Sequence, residues 1–238
     1  MKSIRIVSRV SSILAIGLIL ALPATSVQAD ILLSQLDGRV GEGFGLASGA
    51  WEPGFEDVDS EGADDFVVPS GFSWTIEQIF FEGQSQYTDG STPPIEAAHL
   101  RIYADNGGLP GAVLQELLNQ PTVGNAQHDF TLDTSVQLDA GTYWFSVQAF
   151  LPDAGWIWSR REPATGQNGV WRNPLDGYAS GHTDWTPIPD LSFVSNNPVS
   201  SDLVFEIRGT VTSVPEPSSA LLLSIPALGA VMIRRRAK

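Results

Sequence analysis

The sequence contains no cysteine, which excludes disulfide bonds, a thiol nucleophile and any cysteine-ligated metal centre. Charged residues are also few, at 17% of the 238 residues, below the usual quarter. Apolar residues make up 42%, which is enough for a sizeable core. The chain is punctuated by 23 Gly and 16 Pro. This composition favours a turn-rich β protein over a helical bundle.

Lysine is absent between Asp30 and Ser213. Of the 13 basic residues in the chain, seven lie in the two terminal segments, which leaves six arginines in this body. Against them stand 26 of the 27 acidic residues, so the body has a net charge of −20. Such a charge repels phosphate backbones and anionic membrane surfaces, and we expect no nucleic-acid partner. The negative charge of the body either keeps the protein soluble or attracts cations and basic partners.

The first 29 residues have the features of a secretory signal peptide. A basic segment at residues 2–9 precedes an apolar run at 13–22, which is too short to span a bilayer. Small residues ending at Ala29 offer a cleavage site before Asp30. We therefore expect the mature chain to begin at Asp30. The alternative is an uncleaved anchor helix.

The C-terminal segment, residues 214–238, has three parts in a fixed order. An apolar run of 16 residues, 218–233, lies between a proline-rich motif and a basic cluster. As a helix this run is about 24 Å long, against a hydrocarbon core of about 30 Å, so it predicts a short transmembrane helix. The basic cluster should remain on the cytoplasmic side and stop transfer. The motif is Val214, Pro215, Glu216 and Pro217, and the cluster is Arg234, Arg235, Arg236 and Lys238.

This C-terminal order, together with a signal peptide, resembles the PEP-CTERM sorting signal of Gram-negative bacteria. Proteins of that family are handled by an exosortase, a membrane cysteine transpeptidase, and they accompany exopolysaccharide production. The resemblance implies that Pro215, Glu216 and Pro217 are the recognition motif and that an exosortase-type enzyme is a partner. It also implies membrane attachment before processing and a final location in the cell envelope, at the cell surface or in the extracellular matrix. The alternative is a permanent tail anchor.

The body, residues 30–213, contains short period-two segments separated by turn signals. This pattern predicts an all-β domain, an antiparallel two-sheet sandwich of jelly-roll type, between a signal helix and the C-terminal transmembrane helix. Residues 100–114 and 138–147 resemble strand and turn segments of exported bacterial β-sandwich modules, which supports the fold and implies no activity. Residues 161–200 predict a long loop or irregular edge strands. The predicted strands are 64–68, 74–81, 99–103, 113–118, 127–132, 142–150, 155–160 and 203–211.

The densest acidic stretch has the spacing of a calcium loop at its start. Asp57, Asp59 and Glu61 occupy positions one, three and five, and Gly62 occupies position six. The bidentate Glu expected at position twelve is replaced by Val68, so this segment is not an EF-hand. It predicts either a looser Ca²⁺ site at Asp57, Asp59 and Glu61 or a solvated acidic loop. No other cofactor is indicated.

Tryptophan is the second candidate for ligand contact. Trp156 and Trp158 are two residues apart and share one face of a strand, and Trp171 and Trp185 lie in the long loop region. Together these four indoles predict a platform on which sugar rings stack. The alternative for each of them is that it fills the core of the sandwich.

No catalytic motif is present: the three histidines are scattered, and there is no Gly-x-Ser-x-Gly elbow, HExxH or P-loop. The sequence therefore predicts a non-catalytic exported protein of the cell surface or extracellular matrix that contacts exopolysaccharide. One alternative is a glycan-active hydrolase or lyase on a jelly-roll scaffold. Another is a purely structural envelope protein.

Overall fold

The computed structural model describes residues 29–40, 45–51, 53–86, 95, 97–122, 127–151, 155–193 and 201–214. Within them lie fourteen strands and two short 3₁₀ helices, Glu56–Val58 and Ile188–Asp190. The strands are β1 (Asp30–Ser34), β2 (Gly45–Ala47), β3 (Gly49–Ala50), β4 (Glu61–Val68), β5 (Phe72–Gln86), β6 (Ala97–Asp105), β7 (Pro110–Pro121), β8 (Gln127–Leu138), β9 (Gly141–Phe150), β10 (Gly155–Arg161), β11 (Val170–Arg172), β12 (Thr186–Pro187), β13 (Asp202–Leu203) and β14 (Phe205–Ser213).

These strands form two sheets. The first has the order β1-β14-β5-β10-β13, with β2 also beside β10 and β8 beside β5. The second has the order β12-β11-β4-β9-β6-β7, with β3 beside β9. Among the described strands, every pairing is antiparallel except the two-residue pairing of β3 with β9. The prediction of an all-β, two-sheet sandwich is therefore confirmed.

The strand β5 carries a bulge that keeps its apolar side chains in the core. Trp74 and Ile76 are buried in its first half, and Ile79 and Phe81 in its second, so strict alternation breaks between Ile76 and Ile79. Against both β14 and β8, the pairing register shifts between Ile76 and Gln78. The bulge accommodates one extra residue of β5 at this point, so the apolar side chains before and after it both face the core.

The core between the sheets is rich in aromatic rings. Phe145 of the second sheet contacts Trp158 and Phe205 of the first, with ring centroids 5.7 and 5.3 Å apart. Phe66 stacks on Trp74 at 6.2 Å. Because successive residues of a strand point to opposite faces, the core residues of the second sheet alternate with side chains on its outer face. That outer face carries the candidate site.

The described residues include no helix with the length and hydropathy needed to cross a membrane. The predicted signal peptide up to residue 28 and the predicted sorting segment from Pro215 onward, including the basic cluster, lie outside the described residues. Asp30, expected to be the first mature residue, is the first residue of β1. Val214 directly follows β14, and its N–H donates to the carbonyl of Gly71 at 2.8 Å.

Candidate functional site

A cluster of polar side chains lies on the outer face of the second sheet. Leu100 and Ile102 of β6 and Val147 of β9 belong to the core, so their neighbours Arg101 and Ser146 point to the other side of the sheet. There they meet side chains from β4 and β11. We call this group the Glu61 cluster, and its members are Glu61, Arg101, Tyr103, Ser146, Gln148 and Arg172.

Glu61 is the centre of the cluster, and its side chain is only 4% exposed. Oε1 accepts hydrogen bonds from the hydroxyls of Tyr103 at 2.6 Å and Ser146 at 2.7 Å, and from Arg101 Nη1 at 3.3 Å. Oε2 accepts from Arg172 Nη2 at 2.6 Å and Nε at 3.1 Å. Four side chains therefore surround one carboxylate, and both of its oxygens are engaged.

These contacts keep Glu61 ionised. Burial has the largest single effect and would raise the pKa of Glu61, but the positive charges of Arg172 and Arg101 and the hydroxyl donors Tyr103 and Ser146 together outweigh it. The pKa of Glu61 is therefore held below its usual value. Burial and the adjacent Glu61 carboxylate raise the pKa of Tyr103, so its phenol stays protonated and donates a hydrogen bond to Glu61. A carboxylate with a lowered pKa and no open lone pair is unsuited to act as a general acid, a general base or a nucleophile.

Arg101 joins the cluster to the edge of the sheet. Its Nε donates to Glu116 Oε1 at 2.7 Å, and its Nη1 donates to Gln148 Oε1 as well as to Glu61. The amide nitrogen of Gln148 donates in turn to the carbonyl of Ser60 at 2.9 Å. The Arg101 guanidinium is thus fixed from three directions, which leaves it little rotamer freedom to lose when a ligand binds.

Arg172 forms the solvent-facing side of the cluster. Its guanidinium carbon lies 4.2 Å from the centroid of the Trp185 ring, within the range of a cation–π contact. Trp185 in turn packs edge-on against Tyr103, with centroids 5.7 Å apart and an interplanar angle of 80°. Trp185 is half-buried. An indole and a guanidinium, both partly exposed, are therefore held together at the edge of the sheet.

The structure separates the four tryptophans that were predicted to stack on sugars. Trp156, Trp158 and Trp171 are 1%, 0% and 2% exposed, so the stacking prediction is wrong for these three. Trp156 and Trp158 do share a face, but that face points into the core, where their rings pack 6.1 Å apart. Trp171 donates from Nε1 to the carbonyl of Ala47 at 2.6 Å. Trp185 alone of the four lies beside the Glu61 cluster.

The three predicted calcium ligands do not converge. Asp57 is exposed, and Asp59 accepts the N–H of Trp51 at 2.7 Å. Glu61 is committed to two arginines, which corrects its assignment as a calcium ligand, because a carboxylate saturated by guanidiniums has no lone pair left for a cation. Within the ranges that the structure describes, no group of three or more acidic or histidine side chains is arranged to hold a metal ion.

Two neighbouring carboxylates on β4 are also buried, on opposite faces of the strand. Asp64 faces the core, is 0% exposed, and accepts the N–H of Leu203 at 2.7 Å. Asp65 lies on the outer face and accepts the N–H of Gln167 at 2.9 Å. Burial raises the pKa of Asp65 to about 6. Burial and the negative charge of Asp202 raise the pKa of Asp64 well above its usual value.

Asp202 completes this group of carboxylates. Its Oδ2 accepts from the N–H of Thr165 at 2.5 Å and from Arg161 Nη1 at 3.1 Å. Burial raises the pKa of Asp202 to about 6, against the opposing effects of these two donors. Asp202 and Asp65 both bind backbone N–H groups of residues 165–167, so this loop covers them.

Sequence reasoning named Glu61 and Trp185 but missed the residues that bind them. The available signal was Arg101 between Leu100 and Ile102, a charge placed on the outer face of a strand whose other face is apolar. Arg172 carried no comparable pattern, because β11 has only three residues.

Comparison with known proteins gives no family for the chain. No protein-family model matches it, and no curated protein matches it. A solved structure of the cysteine protease and lectin-like domains of Cwp84, a surface-layer-associated protein of Clostridium difficile, is similar at 10% identity and a TM-score of 0.42. The match covers 66% of this chain and 32% of that one. The similarity is distant and assigns no function.

Proposed function

We propose that this chain is a non-catalytic exported protein of the cell envelope, cell surface or extracellular matrix of a Gram-negative bacterium. In this proposal its jelly-roll-type sandwich contacts exopolysaccharide through the outer face of the second sheet, around the Glu61 cluster and Trp185. A signal peptide cleaved after Ala29 directs export. A C-terminal transmembrane helix and the motif Pro215-Glu216-Pro217 direct sorting by an exosortase-type transpeptidase.

The observation that carries the binding proposal is the saturation of Glu61. Five hydrogen bonds from four side chains leave its carboxylate no proton to exchange and no lone pair to attack with. The same bonds fix two guanidiniums and place one of them on an indole at the surface. This arrangement suits recognition of a polar ligand with an apolar face, which is the chemistry of a sugar ring, and it does not suit bond breaking.

The export proposal draws support from the limits of the described sandwich. β1 begins at Asp30, directly after the predicted cleavage site, and β14 ends at Ser213, directly before the predicted sorting segment. Neither predicted processing event would therefore remove a strand that the structure describes. The test is the mass of the protein recovered from cells that carry an exosortase-type enzyme. We expect a mature wild-type protein that begins at Asp30 and lacks the C-terminal residues that end at Lys238. We expect the Glu216→Ala protein to accumulate unprocessed. An intact Lys238 on mature wild-type protein would indicate a permanent tail anchor instead.

The glycan contact is tested separately with the exported protein and polysaccharides purified from the producing cells. We expect retarded migration of the protein in gels that contain the polysaccharide, and weaker retardation of a Trp185→Ala variant. Unchanged migration of the wild-type protein would contradict a polysaccharide contact and would favour a purely structural envelope protein.

A glycan-active hydrolase or lyase is the second candidate. The observation that favours it is the pair Asp65 and Asp202, whose pKa values near 6 fall in the range of a general acid. Residues 165–167 cover both carboxylates, which opposes this role, because a substrate cannot approach them in the described conformation. Release of new reducing ends from polysaccharide, abolished in Asp65→Asn and Asp202→Asn, would establish the hydrolase.

A further inference from the structure

Arg172 has hydrogen-bond donors that the Glu61 cluster leaves unused. It binds Glu61 through Nε and Nη2, which form one edge of the planar guanidinium fork. Nη2 also lies 3.5 Å from the Tyr103 hydroxyl, at the limit of a hydrogen bond. Among the described residues none accepts a hydrogen bond from Nη1, and the side chain is 29% exposed. The edge formed by Nη1 and Nη2 is thus available to a ligand.

The orientation of this open edge is fixed before any ligand binds. Glu61 holds the opposite edge, and the Trp185 ring covers one face of the guanidinium plane at 4.2 Å. Trp185 is itself held against Tyr103. A free arginine side chain loses up to about 2 kcal/mol of rotamer entropy when it is immobilised. Arg172 has already lost this entropy on folding, before any ligand binds. Arg172 is therefore preorganised for a planar, two-oxygen partner.

The local charge also suits an acidic ligand. Arg101 and Arg172 balance Glu61 and Glu116 within a body of net charge −20, and the remaining carboxylates of this face, Asp65 and Asp105, lie outside these ion pairs. Three of the body's other four arginines pair with carboxylates elsewhere: Arg39 with Glu82, Arg161 with Asp202, and Arg208 with Glu206. Two of the six body arginines thus meet at one point. An anionic group that approaches Arg172 meets a guanidinium whose partner carboxylate, Glu61, is also bound by Arg101.

We propose that Arg172 binds the carboxylate of an acidic sugar, so that the polysaccharide this protein contacts is a uronic-acid-bearing one. The two carboxylate oxygens accept from Nη1 and Nη2 in the bidentate geometry that arginine favours, which a hydroxyl group cannot reproduce. Trp185 provides the adjoining apolar wall for the sugar ring. This inference rests on the proposed polysaccharide contact and adds the class of sugar that the site selects.

The test compares immobilised polymers of different chemistry as ligands for the exported protein. The probes are alginate, which is a polyuronate, dextran, which is neutral, and dextran sulfate, which is anionic without carboxylates. We expect binding to alginate in preference to the other two, and competition by free galacturonate. Arg172→Lys keeps a cation beside Glu61 but lacks the fork. We expect this variant to bind alginate about tenfold or more weakly, the loss that follows from one charge-assisted hydrogen bond.

Arg208→Lys is the matched control. Arg208 also pairs with a buried glutamate, Glu206, at 2.6 Å, and its side chain is 31% exposed, close to the exposure of Arg172. It lies on β14 of the first sheet, so we expect its alginate binding to equal that of the wild type. Equal losses in both variants would show a nonspecific charge effect and would overturn the proposal.

The remaining outcomes separate this inference from the proposed function. Equal binding of alginate and dextran, unchanged in Arg172→Lys, would overturn the acidic-sugar inference and leave the polysaccharide contact standing. Equal binding of dextran sulfate would overturn the selection of carboxylates. Failure of the folded wild type to bind any glycan, including the producing cells' own polysaccharide, would overturn the proposed contact itself. Trp185→Ala leaves both arginine pairs intact, so severalfold weaker alginate binding in that variant supports the site even where Arg172→Lys folds poorly.

Discussion

Glu61 and Arg172 lie opposite each other on paired strands, at the start of β4 and the end of β11, with Oε2 and Nη2 2.6 Å apart. The pairing register alone places their side chains on one face. Because β11 has only three residues and pairs with the two-residue β12 on its other side, this ion pair joins a minor edge of the sheet to its centre. The position of Trp185, next to β12, depends on it.

We expect Glu61→Gln to lower the free energy of unfolding by about 3 kcal/mol, because removing one partner of a buried ion pair leaves charge uncompensated. Here two guanidiniums lose their common negative charge, and an amide NH2 group replaces one of the two acceptor oxygens. Urea unfolding followed by tryptophan fluorescence measures the change. Glu116→Gln is the control, since Glu116 pairs with the same Arg101 but is 43% exposed, and exposed pairs contribute under about 1 kcal/mol. Equal losses in the two variants would show that burial does not set the contribution of Glu61.

The free energy of unfolding should rise and then fall as the pH is lowered. The folded-state pKa values of Asp64, Asp65 and Asp202 are raised above their usual 3.8. The folded state therefore binds more protons than the unfolded state as pH falls through about 6, and stability increases. The pKa of Glu61 is lowered from 4.5, so its contribution is lost as pH falls below that value. We expect a higher unfolding free energy at pH 5 than at pH 7.5 and a fall in strongly acidic solution below about 3.8, where the unfolded aspartates are protonated as well, measured by urea unfolding in a buffer series.

Asp65→Asn isolates one of these carboxylates. Among the residues that the structure describes, no arginine pairs with Asp65, and an amide oxygen can still accept the N–H of Gln167. We expect the variant to be more stable than wild type at pH 7.5, by roughly 1–2 kcal/mol, and by a smaller margin at pH 4.5, because the difference disappears only below the unfolded pKa of 3.8. Asp139→Asn, in the exposed turn before β9, should match wild type at both. Lower stability of Asp65→Asn at pH 7.5 would contradict the raised pKa.

Trp158 should matter for folding, whereas Trp185 should matter for binding. Trp158 is 0% exposed and donates from Nε1 to the carbonyl of Val204 at 2.9 Å. Trp158→Ala is expected to cost about 3–5 kcal/mol of unfolding free energy through cavity formation. Trp185→Ala removes a half-buried ring and should cost about 1 kcal/mol. Thermal unfolding of the two variants measures the difference, and similar melting temperatures would contradict the assignment of Trp158 to the core.

Gly209 is expected to tolerate no side chain. A Cβ at this position would collide with the carbonyl oxygen of Thr75 on the neighbouring β5, and backbone atoms cannot yield as a flexible side chain would. We expect Gly209→Ala to lose roughly 2–4 kcal/mol. Gly155→Ala is the control, because its added Cβ would meet only the Trp51 ring at 4.0 Å. Denaturant midpoints of the two variants decide the question, and a harmless Gly209→Ala would disprove the close approach of the strands.

The longer strands could be predicted from the sequence because their patterns are local. Each of the eight predicted segments falls on described strands, from 64–68 within β4 to 203–211, which spans β13 and most of β14. The short strands β2 and β3 could not be predicted, since two or three residues carry no period. Residues 161–200 were predicted as a loop or irregular edge strands, and they contain the edge strands β11 and β12, whose positions no local pattern gave.

The candidate site was harder to predict because a period of two does not say which face is the core. Trp156 and Trp158 were correctly placed on one face of β10, but tertiary packing turned that face inward. Glu61 was correctly singled out as unusual, but its chemistry depends on Arg101 and Arg172, which are 40 and 111 residues away in sequence. Partners at that distance follow from topology, which no local spacing encodes.

The strand β14, the last of the described strands, lies between two others, with β1 on one side and β5 on the other. Nine residue pairs join β14 to β5, from Phe205 opposite Phe81 to Ser213 opposite Phe72. The hydrogen bonds of an antiparallel ladder run perpendicular to the strands, so tension applied along the chain beyond Ser213 loads these bonds together in shear instead of opening them one by one. When the chain is held beyond Ser213 and the opposing force acts at the far end of β5, all nine pairs would therefore resist at once.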